Sequence, residues 1–249
     1  MKQTPHRIVS FAEEPQLQNQ LEPLSESIWP PFMLEAPVAN QYWGRLFSQF
    51  PAYQSALLEG DTVVGVGNAV PSSWRGAAED LPDEGWDWAL SSAMADADAG
   101  RPPATLIGLQ IAIAPTHQAQ GLSATFVRRL KEVAAGQGLE KLIIPVRPTL
   151  KHRYPLTPIE RYITWQKGSM PFDPWLRVHV RQGGRIVKAC TRAMTITGSI
   201  DQWEEWTEMT FPDSGPYVIA RALCPLQIDR ASDQGTYIEP NVWVEHQVD

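Results

Sequence analysis

Between Thr105 and Val146 the chain changes its pattern three times, and this alternation narrows the possible folds more than any bulk property does. Thr105–Ala114 (Thr-Leu-Ile-Gly-Leu-Gln-Ile-Ala-Ile-Ala) is a nearly continuous apolar run of strand length, as expected of a central strand covered on both faces. Pro115 ends the run, and a polar loop, Thr116–Gln120, leads to Gly121. Leu122–Ala135 then keeps helical spacing: Leu122, Phe126, Val127, Leu130, Val133 and Ala134 are apolar, while Arg128, Arg129, Lys131 and Glu132 are polar. Gly136-Gln137-Gly138 stops the helix, and Leu139–Val146 returns as a strand. Strand, loop, helix, strand is a βαβ unit, which predicts an α/β fold.

The loop of this unit is the place for chemistry. The first turn of a helix has unpaired backbone N–H groups, and the helix dipole adds partial positive charge, so a glycine loop entering a helix is a ready anion site. Here the loop reads Gln118-Ala119-Gln120-Gly121-Leu122-Ser123. Gly121 lets a diphosphate approach the backbone, and Ser123 is small enough not to block it. Neither the Gly-x-Gly-x-x-Gly dinucleotide pattern nor a phosphate-binding Gly-x-x-x-x-Gly-Lys-Ser/Thr loop occurs. A plain strand-to-helix connection is the alternative reading.

In this context Gln118–Ser123 resembles the pyrophosphate motif of the GNAT acyltransferases, (Gln/Arg)-x-x-Gly-x-(Gly/Ala), with serine in the last place. Ile111-Ala112-Ile113-Ala114-Pro115 resembles the strand and proline that enter it. The resemblance is good over residues 105–197 and loose over the first seventy, and it does not reach the last fifty. It implies a mixed central sheet flanked by helices; an insertion within it and a C-terminal β-rich extension are read from the residues themselves. It also implies acetyl-CoA or another acyl-CoA as co-substrate and a small amine-bearing acceptor. The amides of Gln120, Gly121, Leu122 and Ser123 would hold the CoA pyrophosphate, with Gln118 shaping the loop. Backbone groups of Ile111 and Ile113 would pair with the pantetheine arm, and a splay between the strands ending at Ala114 and Val146 would admit the thioester.

Acyl transfer to an amine needs a neutral nucleophile, a stabilised oxyanion and a proton for the departing thiolate. The resemblance implies a tyrosine donor four residues before a glycine on a later helix; His179, ahead of Gly183, stands at that position. His152 and Tyr154 are alternative donors in the dense segment Arg147–Pro155, where Lys151 and Arg153 could meet a phosphate or an acidic substrate. Thr105–Ala114 holds no carboxylate to act as base, which leaves the base open, with a water relayed by backbone groups as one candidate. A GNAT-like module that binds acyl-CoA or a nucleotide without transfer is the second reading.

Elsewhere, residues 6–12 read as a first strand and 16–50 as helical pieces broken by Pro23, Pro30-Pro31 and Pro37. The aromatic stripe Tyr42, Trp43, Leu46, Phe47, Phe50 reads as core. Gln54–Leu58 and Thr62–Val70 form a hairpin about Glu59-Gly60-Asp61. Residues 72–103, with a helix at Gly85–Ala99, read as an acidic insertion, a lid or decoration. Residues 147–174 are a basic, proline-rich insertion. A helix at Trp175–Gln182, a strand at Arg185–Thr197 and a helix at Asp201–Thr207 follow, then β structure to Asn241–His246. The expected domain is 1–198, with 199–249 an extension packed on it.

A net charge of −7 argues against a general nucleic-acid binder, yet residues 140–192 hold 11 Lys and Arg against 3 Asp and Glu. Such a block can neutralise an anionic ligand locally while the whole protein stays acidic. No apolar run of membrane-spanning length is present, and no signal-peptide stretch follows Met1–Arg7. Two cysteines without framework spacing point to a reduced, cytoplasmic protein, and scattered histidines predict no metal. The oligomeric state is left open.

Overall fold

Leu106 and Ile107 are neighbours in sequence but belong to different cores, because successive strand residues face opposite sides of a sheet. The computed structural model, which describes residues 6–248, builds that sheet from nine strands. Eleven strands occur in chain order: β1 (His6–Ser10), β2 (Gln54–Glu59), β3 (Thr62–Ser72), β4 (Thr105–Ile113), β5 (Lys141–Val146), β6 (Gln166–Lys167), β7 (Met170–Pro171), β8 (Arg185–Gly198), β9 (Gly215–Tyr217), β10 (Leu226–Asp229) and β11 (Gln234–Gln247). The main sheet runs β1-β2-β3-β4-β5-β11-β10-β9, with β8 on the other edge of β11; β6 and β7 form a separate hairpin. Among the described residues only β4 and β5 pair in parallel, as the βαβ reading requires. The N-terminal leader reading rests largely on residues 1–5, which lie outside the described part.

The helices are α1 (Leu21–Ile28), α2 (Pro31–Leu34), α3 (Pro37–Gln49), α4 (Gly85–Asp98), α5 (Leu122–Gly136), α6 (Ile159–Tyr162), α7 (Pro174–Arg181) and α8 (Ile200–Thr207). One face of the sheet packs α2, α3, α4 and α8 around Ile107, Ile143 and Trp243. The other packs α5, α6 and α7 around Leu106, Leu142 and Val244. A mixed sheet flanked by helices is the α/β architecture expected, and four details differ. Pro23 does not break a helix: it sits in the first turn of α1, where its missing N–H has no partner to lose. Residues 72–103 are more than an added lid, since Ala89, Leu90, Ala93 and Met94 of α4 are fully buried in the larger core.

The third difference is at the C-terminus. β11 is the most embedded strand, pairing with β5 and β10 along one edge and β8 along the other. A boundary at residue 198 therefore falls inside the sheet, between β8 and its partner. Long-range strand pairing leaves no local signature, which is why motif matching stopped short of it. Fourth, of the stripe on α3 only Leu46 is fully buried, and Trp43 also faces a cleft.

Candidate active site

Strands β4 and β5 stay together for only three residue pairs, Thr105–Ile107 against Lys141–Ile143. The register of β3 then jumps from Asn68–Gln110 to Ala69–Gly108, leaving Leu109 as a bulge. A bulge bends its strand and sharpens the local twist, so β4 turns away from β5 at this point. The freed Leu109 carbonyl accepts a hydrogen bond from Trp86 Nε1 at 2.8 Å, which holds the bend. Gly108 beside it is obligatory: a Cβ there would sit 2.9 Å from Ile144 Cγ1. The V between the strands opens into a cleft of about 670 Å³. Gly108–Ile113 and Ile144–Val146 form its two sides, and Trp29, Trp43 and Trp86 close one wall.

At one end of the cleft lies the loop before α5. Gln118 lines the cleft, and its Nε2 donates to the Ile113 carbonyl at 3.1 Å, tying the loop to the end of β4. Ala119 (φ 62°) and Gly121 (φ 78°) both take left-handed conformations, and Gly121 is the N-cap of α5. No side chain caps this helix and no acid stands in its first turn. A Cβ on Gly121 would meet nothing within 4 Å, so the space above the glycine is open. An uncapped N-terminus with free approach to its backbone fits a diphosphate.

The remaining polar groups come from β11 and the segment after β5. β10 leaves β11 at Thr236 and β5 joins it at Val242, and Glu239 and Asn241 of the stretch between line the cleft. Glu239 is fully buried; Arg147 Nε donates to its Oε1 at 2.8 Å and Tyr237 Oη to its Oε2 at 2.8 Å. His152 lines the same cleft, with Nδ1 2.8 Å from the Thr149 carbonyl. That contact makes Nδ1 the protonated nitrogen and leaves Nε2 to exchange a proton. Arg221 completes this end.

The three expected proton donors are thus separated. His152 reaches the cleft. His179 does not: α7 is short and amphipathic, and it turns this ring inward, fully buried, with Nδ1 3.0 Å from His246 Nε2 on β11. Burial pushes the His179 pKa well below the usual imidazole value. Tyr154 packs edge-on against Trp165 and Phe172 rather than lining the cleft. Lys151, expected to meet a phosphate, is buried, with Nζ on the carbonyls of Tyr154 and Leu223 at 2.8 and 2.5 Å. Ile111, Ile113 and Gln118 line the cleft, while Gln120, Gly121, Leu122 and Ser123 stand at the turn into α5. The spacing argument against metal ligands also missed a tertiary grouping, for ligand atoms of His6, Glu59 and His117 come within 4.8 Å of one another.

Sequence reasoning overlooked Trp29, Arg221, Glu239 and Asn241. The signal for the tryptophans was their number, 10 in 249 residues; for the other three no local signal exists.

Comparison with known proteins follows the same lines. The chain is 35% identical over 251 aligned residues to the arginine N-acetyltransferase avaD of Aspergillus versicolor, spanning 89% of this chain and 86% of that protein. The loading GNATL domain of CurA from Lyngbya majuscula superposes with a TM-score of 0.62 at 17% identity, over 98% of both chains. The GphF GNAT-like decarboxylase, solved with isobutyryl-CoA, gives 0.59 at 18% identity over 98% of this chain and 100% of that one. No family model matches the chain.

Proposed function

This chain belongs to the GNAT superfamily of N-acetyltransferases, and from that premise we propose that it moves an acetyl group from acetyl-CoA to the amine of arginine or a close relative of arginine. The observation that carries this reading is the divergence of β4 and β5 beyond Ile107, which opens a cleft running from Gln118, in the loop before the uncapped α5, to a set of polar side chains. The arginine acceptor is suggested by the activity of the Aspergillus versicolor relative.

In this reading the amides of Gln120, Gly121, Leu122 and Ser123 hold the CoA pyrophosphate, and Gln118 keeps their loop in place. The exposed edge of β4 at Ile111 and Ile113 pairs with the pantetheine arm. The thioester lies in the V, where the acceptor nitrogen attacks its carbonyl carbon and the C–S bond then breaks. The incoming ammonium must first lose a proton, and the departing thiolate must gain one. His152 Nε2 is placed to move that proton. The tryptophan wall excludes water from the thioester.

The test is direct. Thiol release from acetyl-CoA is followed with arginine as acceptor, alongside calorimetry with acetyl-CoA and CoA. Turnover with arginine supports the proposal, and failure to bind either coenzyme form at millimolar concentration would sink it. Tight coenzyme binding with no turnover on any amine would favour the binding-module reading. The one carboxylate lining the cleft, Glu239, is already paired, which is the feature that favours that second outcome.

A further inference from the structure

The ionisable side chains of the cleft wall do not balance. Glu239 is its carboxylate, and Arg147 occupies it through a 2.8 Å contact, so this pair cancels. Arg221 is left over. Its guanidinium meets the carbonyl of Ile28, a neutral acceptor at the end of α1, and no ion pair holds it among the described residues. The backbone at Arg221 is left-handed (φ 65°), a conformation that a residue with a Cβ adopts only when its surroundings impose it. The constraint here includes Arg147, whose Nη2 donates to the Arg221 carbonyl at 2.8 Å. The contact ties Arg147 to the backbone of Arg221, so this end of the cleft carries two arginines and one carboxylate. Desolvation, and then repulsion from Arg147, lowers the pKa of Arg221. A bound anion would relieve that repulsion. Trp29, over which the Arg147 guanidinium sits at 5.9 Å, keeps this end of the cleft partly apolar and so strengthens any charge contact made there.

We propose that Arg221, seated beside Arg147, forms a carboxylate subsite that holds the carboxylate of the acceptor. The proposal rests on the N-acetyltransfer reading and refines it: the acceptor is an amino acid, and its decarboxylated amine is a poor substitute. A planar guanidinium matches a carboxylate in geometry as well as charge. The acidic side chain that could have closed the site internally, Glu239, is spent on Arg147.

The experiment compares ligands that differ only in the carboxylate. Full-length protein saturated with CoA is titrated with N-acetylarginine and with N-acetylagmatine, and transfer to arginine and agmatine is measured in parallel. A charge-assisted contact predicts roughly ten- to hundredfold tighter binding of the carboxylate form and a similar ratio of kcat/KM. Arg221→Leu collapses both ratios toward one, and Arg221→Lys, which keeps the charge without the fork, restores part of the preference. Equal affinities in the unmodified protein overturn the proposal, as do unmoved ratios in an Arg221→Leu protein with an unchanged melting curve. A preference for malonyl-CoA over acetyl-CoA that needs Arg221, without discrimination between the two acceptors, also overturns it by placing the carboxylate on the acyl chain. Discrimination in binding without any acetyl transfer would support the subsite while ending the transfer reading.

Discussion

Gly121 and His152 carry different burdens, and substitution separates them. Gly121 holds a φ of 78° at the head of α5 with nothing near its missing Cβ, so alanine there suffers from backbone strain and not from a clash. The strain is about 1–2 kcal/mol, so Gly121→Ala should raise the KM for acetyl-CoA roughly five- to thirtyfold in steady-state assays. His152→Ala should instead lower kcat by about 10²–10⁴ while coenzyme affinity holds, which calorimetry checks. Neither of the two thiols lines the cleft. Burial pushes both Cys190 and Cys224 up to about 12, so iodoacetamide at pH 8 should label neither until the protein is unfolded.

Among the elements, the segment after β5 depends on one acid. Asp173 is the N-cap of α7, accepting from the Trp175 and Leu176 amides at 2.9 and 3.3 Å. It also takes the Leu150 amide and the Tyr162 hydroxyl, each at 2.8 Å. That carboxylate therefore joins the start of α7 to the turn that carries His152. Asp173→Ala removes a cap and strands several buried donors, so a loss of about 3 kcal/mol or more is expected in urea unfolding. Because Leu150 lies two residues before His152, kcat should fall as well. The Leu109 bulge is the other decisive element, since it ends the β4–β5 pairing without needing an insertion.

For the whole molecule, stability should depend on pH through buried groups that do not themselves line the cleft. His246 is lowered to about 4 and His179 is held well below the usual imidazole value, in both cases first by burial. Below pH about 6.5 the unfolded chain binds protons that the folded pair refuses, so stability falls as pH drops from there toward 4. Asp87 works in the opposite sense. Desolvation raises it to about 6, so its burial costs stability above the unfolded carboxylate range. Asp87→Asn should raise the melting temperature at pH 7, since the amide oxygen can still accept from the Thr195 amide. Thermal scans between pH 4.5 and 8 test both statements. A flat profile in the Asp87→Asn protein, where the opposing carboxylate is gone, would contradict the first, and an unchanged or lower melting point the second.

The 105–146 unit was legible from sequence because its determinants are local. Strand, glycine loop, amphipathic helix and returning strand are each written in consecutive residues, and together they point to the fold and to an open glycine loop at the head of α5. The same locality explains α7, whose length was read correctly while the orientation of His179 was not. Which face of a short helix is buried depends on what packs against it, here β11 from the far end of the chain. Arg221, Glu239 and Asn241 became part of the cleft only when β11 took its place beside β5. A pairing between residues about a hundred positions apart is chosen by the competition of all strands for partners, and nothing in either segment alone records the result. Sequence by itself therefore determined the glycine loop and uncapped helix at one end of the cleft, and tertiary pairing decided the polar side chains at the other.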